Sequence, residues 1–452
     1  MSTAKVKLIS HASILIQVDG KKILTDPWYF GTAFNDGWEL SHKLNLEEIK
    51  AAISDVDVIW ISHEHPDHFH FPTLKWIVEF IKKDVEIFFQ KNNSQKMFEA
   101  LKKIGFQNFK SMPHLKKISI SENVELACYA HRHLDSSLAV FVKKDFWLLN
   151  INDTELDVSD INIIMRKLGN PSVLYNQFSI AGSDGIHSHL ALDAASVLEK
   201  MVEHHKLLKS KVTIPFASFV RFSRQDNQHM NEFVNTVFDV KEKFLENDVQ
   251  LVRQAIGGNS IEWSDVTSNA KNDMEIDEQG EKYFSTQTHI VNDEHDYKQI
   301  NQMELKKTIE DRVAEWQKVS SKAVLKFLKL EPMKFRITDW NDEIWKVDFY
   351  NGTFSNLQTE EYDISISSQP LFQAFKMPFG IQTLGVSGRY RFADKYRDVP
   401  TKWKKIRIIS SLYNAEIYLH PRSVFSLTTL RWLWSRRLGL ISQIFQQMKR
   451  FS

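Results

Sequence analysis

The stretch Ile61–His70, ISHEHPDHFH, places four histidines and two acidic residues within ten positions, directly after the apolar run DVDVIW. The apolar run predicts a buried strand, so the imidazoles and carboxylates begin where that strand ends. Residues two apart on an extended segment point the same way, so His63 and His65 can bind one ion. After the turn that follows, Asp67 and His68 can face a second ion. Imidazole and carboxylate donors suit zinc, iron or manganese.

The overall composition is that of a globular protein with room for two or three structural units. The chain has 452 residues, of which 42% are hydrophobic and 25% are charged, and its formal net charge is +1. Because 58 basic residues balance 57 acidic ones, bulk charge gives no reason to expect nucleic acid as a partner. We therefore expect a small-molecule substrate.

The cysteine count limits the kinds of site that the sequence can build. Cys128 is the single cysteine, which excludes an intrachain disulfide, a CxxC zinc site and a cysteine-ligated cluster made from this sequence alone. Any metal must then be bound by histidine and carboxylate. The N-terminal residues lack a signal-peptide pattern, and no apolar run approaches the roughly 20 residues of a membrane span, so we expect a cytoplasmic location.

Four segments differ in their patterning. Residues 1–257 alternate short apolar runs with amphipathic segments such as Thr73–Lys83, which predicts a mixed α/β catalytic domain in which VDGKK and VKKDFW are hairpin turns. Residues 258–330 begin as a polar linker and end in bridging helices. Those helices should bury one face made of Leu305, Ile309, Val313, Trp316 and Val319.

The C-terminal part predicts a smaller domain and a basic tail. Strand-like alternation in residues 331–420 includes KFRITDW, EIWKVDFYNG, YDISISS, TLGVSGRYRF and KIRIISSLYNAEIYL, which favours a small α+β domain. Residues 421–452 combine six basic residues with tryptophan, leucine and phenylalanine and contain no acidic residue. Such a helix suits peripheral contact with a membrane surface, and it suits docking on the protein or on a second subunit equally well.

The HEHPDH motif resembles the HxHxDH signature of the metallo-β-lactamase superfamily, and further motifs of residues 5–257 agree with it. ILTDPW supplies Asp26, where the superfamily has an aspartate that orients the metal site. YAHRHL supplies His131 or His133, and NINDTEL supplies Asp153 at the place of the bridging carboxylate. The resemblance implies an αββα sandwich, so the expected fold class is α/β, followed by the smaller α+β domain.

The same resemblance implies a ligand set for two divalent ions, zinc or iron. His63, His65 and either His131 or His133 would bind the first ion, Asp67 and His68 the second, and Asp153 would bridge them. The histidine that usually closes the second position has no counterpart in the strand VTIPFASFVRF. The candidates for that role are His229 in RQDNQHMN and the pair His187 and His189 in GIHSHL.

Within the superfamily, HASILIQVDGKKILTDPW, GTAFNDGWEL and ISHEHPDHFHFPTLK resemble the β-lactamase-like part of CMP-N-acetylneuraminate hydroxylases. A looser resemblance links residues 330–420 to sterol-carrier-like domains through WKVDFYNG, YDISIS and TLGVSGR. That second resemblance implies a lipid pocket or a domain that only covers the active site.

These observations support three hypotheses of function. The first is a hydrolase in which the ions activate water against an ester, amide, thioester or phosphoester, with Asp67 or Asp153 handling the proton. The second is a di-iron oxygenase that takes electrons from a separate protein, as the hydroxylase resemblance implies. The third is a non-catalytic protein that binds lipid or a partner. We place hydrolysis first.

The expected substrate-binding residues are aromatic or basic. The segment WYFGTAFNDGW can wall a pocket with stacking surface, and FASFVRFSRQDN brings arginines that suit an anionic substrate. The candidates are Trp28, Tyr29, Phe34, Trp38, Arg221 and Arg224.

Overall fold

A computed structural model describes most of the chain. The described residues are 4–42, 44–91, 96–131, 135–142, 146–249, 298–319, 330–393 and 398–414, with isolated positions between 251 and 282. Most of the predicted polar linker and the whole predicted tail, residues 421–452, lie outside the described residues. His133 and the VKKD turn lie outside them as well.

The chain divides into two compact units. The first comprises residues 1–181, 190–223 and 230–292, and the second comprises residues 182–189, 224–229 and 293–452. Two short segments from the N-terminal half of the chain therefore belong to the second unit.

The first unit is built around two sheets whose central strands are apolar and buried. The strand that precedes the histidine motif has the sequence VIWI, and all four of its residues are buried, as expected for a strand covered on both faces. The described strands, in chain order, are β1 (Lys5–Ser10), β2 (Ser13–Val18), β3 (Lys21–Thr25), β4 (Thr32–Ala33), β5 (Trp38–Leu40), β6 (Val58–Ile61), β7 (Glu86–Gln90), β8 (Asn108–Met112), β9 (Ile118–Ser119), β10 (Val124–His131), β11 (Asp135–Val142), β12 (Phe146–Asn152), β13 (Val173–Gln177), β14 (Val212–Phe216), β15 (Val220–Phe222) and β16 (Ile261–Glu262).

Helices cover the outer faces of these sheets, and several begin at a side-chain cap. Asn45, Asp157 and Thr236 each accept hydrogen bonds from backbone N–H groups of the first helical turn. The described helices of this unit are α1 (Leu46–Ile53), α2 (Phe71–Val78), α3 (Lys96–Ile104), α4 (Val158–Leu168), α5 (Leu190–Leu208) and α6 (Val237–Glu246). The predicted helix Thr73–Lys83 therefore begins earlier and ends earlier, because Glu79 to Ile81 form a turn that buries Ile81.

The sheet order forms a four-layer sandwich. In the described part, one sheet has the order β16-β1-β2-β3-β6-β7-β8 and the other has the order β14-β13-β12-β11-β10-β9. One hydrophobic cluster joins residues of both sheets, including Trp60, Phe88, Leu138 and Ile214. A second cluster lies between the first sheet and α1 to α3, and a third packs α4 against the second sheet. These αββα layers confirm the predicted fold class for this unit.

The predicted VDGKK turn is confirmed. Asp19 and Gly20 join β2 to β3 with φ angles of 51° and 71°, the backbone that a tight two-residue hairpin requires. A further small sheet has the order β15-β5-β4.

The second unit is an α+β structure with its own hydrophobic core. Its described sheet has the order β19-β18-β17-β20-β21, in which β17 and β20 are parallel. Its described elements are α7 (Gln302–Val319), β17 (Met333–Ile337), β18 (Glu343–Asp348), β19 (Thr353–Leu357), β20 (Ile364–Ile366), α8 (Ser368–Lys376), α9 (Gly380–Ser387), β21 (Arg391–Phe392) and α10 (Val399–Asn414).

The helical face predicted before this sheet is confirmed in α7. Leu305, Ile309, Val313 and Trp316 are buried in the core of the second unit. The side chain of Val319, the fifth residue of that predicted face, lies outside the described residues.

Two predicted strands of this region are wrong. The segment TLGVS lies in α9, and KIRIISSLYN lies in α10. In α10 the buried residues Trp403, Ile406 and Ile409 recur every three residues, which is helical spacing. The short alternation of apolar residues in KIRI wrongly predicted a strand. The sterol-carrier resemblance stays a prediction. Among the described residues, no helix is long and apolar enough to cross a membrane.

Candidate metal centre

The histidine motif starts at the carboxyl end of β6. This strand is parallel to β3, so the residue after β3, Asp26, lies beside the residues after β6. The Asp26 N–H donates to the Trp60 carbonyl at 3.0 Å, and its Oδ1 accepts from the Ser62 N–H at 2.8 Å. Asp26 has a positive φ of 32°, a sparsely populated backbone for a non-glycine residue that is often found at functional sites.

The second sheet brings its own strand ends to the same place. The Ser136 hydroxyl donates to the Ser62 carbonyl at 2.7 Å, which ties the start of β11 to the end of β6. Asp135 opens β11, and Asp153 follows β12. The motif therefore meets two carboxylates from a hairpin more than 70 residues later in the chain.

A first group of donors consists of His63, His65 and Asp135. His63 Nε2 lies 2.8 Å from His65 Nδ1 and 3.7 Å from Asp135 Oδ1. His63 Nδ1 is hydrogen-bonded to the Ser62 hydroxyl at 2.9 Å, which directs Nε2 toward the group. Two imidazoles and one carboxylate thus converge on one position.

A second group consists of His63, His68 and Asp153. Asp153 Oδ2 lies 3.4 Å from His63 Nε2 and 3.6 Å from His68 Nε2. This carboxylate therefore lies between the two histidines, the arrangement that a bridging ligand requires.

A third group consists of His11, Asp67 and His68. Asp67 Oδ2 lies 3.1 Å from His68 Nε2 and 3.3 Å from His11 Nε2. The other nitrogen of His68, Nδ1, lies 3.1 Å from Asp26 Oδ2, and that oxygen also accepts from the Asn152 amide at 3.1 Å. Asp26 thus orients His68, as its place before the motif predicts.

The electrostatics of the cluster favour a bound cation. Burial opposes the charged form of His68, yet Asp67, Asp153 and Asp26 outweigh it and raise the pKa of His68 well above its ordinary value. Burial likewise opposes ionisation of Asp67, but His68 and His11 hold the pKa of its carboxyl well below the usual range. The buried carboxylates therefore require positive charge nearby, whether from protons or from metal ions.

The donor set fits divalent metal ions. Within the described part of the chain, the buried oxygens Asp67 Oδ1 and Asp153 Oδ1 accept no hydrogen bond. Buried carboxylate oxygens normally have partners, so these two are free to serve as ligands. Imidazole nitrogens with carboxylate oxygens are donors that zinc and iron both accept.

The structure places the other predicted histidine ligands elsewhere. His131 is buried at the end of β10, where its Nδ1 lies 3.4 Å from Asp160 Oδ2, and it belongs to none of the three groups found among the described residues. His229 and His187 belong to the second unit, where their rings lie 5.4 Å apart. His189 is in that unit too, 2.8 Å from Asp184. The roles predicted for His131, His133 and His229 stay predictions.

The predicted aromatic wall lies against the histidines but is buried. The Trp28 ring is 5.7 Å from the His11 ring, the Trp38 ring is 6.4 Å from it, and the Phe34 ring is 5.8 Å from that of His65. Tyr29 packs in the core between the first sheet and its helices. Trp28, Phe34 and Trp38 therefore pack against the histidines, and the predicted contact of the four aromatic residues with a substrate stays a prediction.

The two predicted arginines fall in different units. Arg221 belongs to the first unit and forms an ion pair with Glu39 at 2.6 Å. Arg224 belongs to the second unit, where its backbone N–H donates to Asn227. The anion-binding role of either residue stays a prediction.

Two members of the cluster were not expected from the sequence. Asp135 follows the expected histidines in HRHLDSS, and His11 stands at the start of HASILI. Both lie in segments that carry the family resemblance, so a search for every histidine and acid beside those motifs would have included them.

Comparison with known proteins agrees with this geometry. Residues 5–129 match the model of the family described as "Beta-lactamase superfamily domain". The cytidine monophosphate-N-acetylneuraminic acid hydroxylase of Sus scrofa is 36% identical over 98 residues, which cover 22% of each chain. The Xenopus laevis hydroxylase is 29% identical over 144 residues, 31% of this chain and 24% of that protein. The chain thus matches less than a quarter of the length of either relative.

Solved structures with a similar arrangement include enzymes of two kinds. CmlA, a diiron beta-hydroxylase from Streptomyces venezuelae, gives a TM-score of 0.37 at 14% identity over 57% of this chain and 54% of that one. Igni18, a metallo hydrolase from Ignicoccus hospitalis, gives 0.40 at 16% identity over 57% of this chain and 97% of that one. The αββα layers and the HxHxDH cluster of the first unit agree with the match of residues 5–129 to the beta-lactamase superfamily model.

Proposed function

We propose that the cluster binds two divalent metal ions and that the N-terminal unit is an oxygenase dependent on them. His63, His65 and Asp135 would bind the first ion, and Asp67 and His68 would bind the second. Asp153, which lies between His63 and His68, would bridge them. The convergence of seven buried or half-buried donors at one edge of the sandwich supports this assignment.

The donor set of the first position, together with the hydroxylase relatives, favours the oxygenase. Two imidazoles with one carboxylate form the donor set that non-heme iron oxygenases use, with further coordination positions left open. Asp135 supplies that carboxylate among the described residues. From the sequence alone hydrolysis stood first, because an oxygenase needs electrons from a separate protein. We place the oxygenase first because Asp135 completes this donor set. The hydroxylase relatives add support for the same reaction class.

The chain's own residues perform the binding, orienting and shielding. Bound iron would supply the redox chemistry for dioxygen activation. Asp26 holds His68 in one orientation through Nδ1, and Ser62 does the same for His63. The buried rings of Trp28 and Phe34 pack against those of His11 and His65 and would shield these histidines from water. The side chains of Asp135 and Asp153 are 25% and 21% exposed, so the open side of the cluster is the carboxylate side.

The proposed oxygenase reaction requires an electron donor and a substrate. An oxygenase of this kind needs electrons from a separate donor protein, since the sequence has one cysteine and that residue is buried. The substrate would be a small molecule that enters from the side of Asp135 and Asp153.

Metal analysis tests the proposal. Protein purified without added metal should contain close to two iron ions per chain, with a ligand-to-metal absorption band that changes on reduction and on exposure to dioxygen. Asp135→Asn should lower the iron content, whereas Asp57→Asn, the same change at a carboxylate outside the three donor groups, should leave it unchanged. Two zinc ions and a silent spectrum would contradict the oxygenase.

A hydrolase is the second candidate, and the exposure of two carboxylates favours it. The side chains of Asp135 and Asp153 are partly exposed while those of His63 and His68 are buried, so either carboxylate could accept a proton from water at the edge of the cluster. Catalytic zinc sites also use two histidines and one carboxylate. Zinc-loaded protein that cleaves ester, thioester or phosphodiester substrates, with loss of cleavage in Asp153→Asn, would establish this alternative.

A further inference from the structure

We propose that His11 supplies the third donor of the second metal position, the role for which the sequence suggested His229 or the pair His187 and His189. The inference rests on the metal centre proposed above, but not on which reaction that centre performs. It places a ligand on the first hairpin of the chain, more than 50 residues before Asp67 and His68.

The backbone holds His11 in one place. His11 lies between β1 and β2, next to an irregularity in their register between Leu8 and Ser10. The His11 carbonyl accepts a hydrogen bond from the Ala217 N–H at 2.9 Å. The hairpin is thus tied to the loop after β14, and the imidazole has a defined starting point.

The surroundings direct the imidazole toward Asp67. The rings of Trp28 and Trp38 pack edge-on against it, and its centroid lies 5.7 Å from that of His68. Nε2 lies 3.3 Å from Asp67 Oδ2, the same oxygen that lies 3.1 Å from His68 Nε2. Three donor atoms from three side chains therefore converge on one small volume.

The ring nitrogens of His11 form no hydrogen bonds within the described residues. The residue is 2% exposed, Nδ1 has no hydrogen-bond partner among the described residues, and Nε2 contacts Asp67 Oδ2 at 3.3 Å without forming a hydrogen bond to it. An unsatisfied buried polar group costs about 1–3 kcal/mol, so a sequence that served only the fold would gain from an apolar residue here. Metal ligation would give Nε2 a partner, and Asp67 Oδ1, which accepts no hydrogen bond, lies on the neighbouring donor residue.

The described residues offer no competing histidine for this position. One of the three donor groups contains Asp67, and its other two members are His11 and His68. The nearby His70 is engaged elsewhere, since its Nδ1 is hydrogen-bonded to Thr73 and its Nε2 to the Thr32 carbonyl.

Cobalt titration of metal-free protein tests the assignment without using activity. Wild type should take up two Co²⁺ ions per chain, followed by the visible absorption of the bound metal. His11→Ala should retain one tight ion and bind the second at least tenfold more weakly, and added imidazole should restore part of that loss. His70→Asn is the matched control, because it changes a buried histidine of the same region and should leave both ions bound.

The outcomes separate the two proposals. Two ions bound by His11→Ala with wild-type affinities would overturn the role of His11 and leave the metal centre standing. Fewer than two ions bound by wild type would overturn the dinuclear centre and this inference with it. If His11→Ala does not fold, as judged by circular dichroism, His11→Gln fills the same space and the same titration decides.

Discussion

The orienting role of Asp26 leads to a prediction that can be worked out from its contacts. Asp26 Oδ2 lies 3.1 Å from His68 Nδ1 and accepts from the Asn152 amide, while Oδ1 accepts from the Ser62 N–H. Asp26→Asn keeps the volume but removes the charge, and it replaces one accepting oxygen by an NH₂ group. At least one of the three donors then loses its partner.

Two magnitudes follow from this loss. Changing a residue that orients a metal ligand typically lowers metal affinity about 10- to 100-fold. A buried donor left without a partner costs about 1–3 kcal/mol of stability. We therefore expect Asp26→Asn to bind the second ion about 10- to 100-fold more weakly and to unfold more readily even without metal.

Chelator competition measures the affinity, and urea unfolding of the metal-free protein measures the stability. Asp57→Asn is a suitable control, because Asp57 precedes the same strand, β6, and accepts from the Lys22 N–H at 2.8 Å and from Lys82 at 2.7 Å. The control should lose stability but keep metal affinity. A metal affinity of Asp26→Asn within twofold of wild type would refute the orienting role.

Three further predictions concern other parts of the chain. His65→Ala should lose the first metal ion and all activity while keeping the wild-type far-ultraviolet circular dichroism, and a metal-replete, active variant would contradict the ligand assignment. Arg389 is buried and forms an ion pair with Asp226 at 2.9 Å. Arg389→Met should therefore lower the free energy of unfolding in urea by about 3–5 kcal/mol. Arg389→Met combined with Asp226→Asn should recover part of that stability. Burial lowers the pKa of His205 from 6.5 to about 4, so between those pH values the unfolded chain binds a proton that the folded chain excludes, and stability falls as the pH is lowered. His205→Gln should flatten that part of the stability curve, and an unchanged curve would show that His205 has the same pKa in the folded and unfolded states.

Local patterns in the sequence were sufficient for the features that depend on neighbouring residues. The VIWI run predicts a buried strand, and the histidines behind it follow at the spacing of a metal motif, because both properties are set within a dozen residues. The apolar face of α7 was readable for the same reason, since helical periodicity repeats along one segment.

Short segments with ambiguous periodicity were not predictable in this way. KIRIIS alternates like a strand over a few residues and buries residues like a helix over the whole of α10. Packing in the core of the second unit decides between the two, and that core comprises residues far apart in the chain.

The sequence by itself predicted the resemblance to the superfamily, the αββα layers and the core of the candidate metal motif, His63, His65, Asp67 and His68. The tertiary structure alone decided which distant residues complete the cluster. Asp135 opens β11 and His11 lies in the first hairpin, and neither residue stands at a recognisable spacing from the motif. Their proximity depends on how the two sheets stack and where each hairpin turns, which the spacing of residues along the chain does not encode.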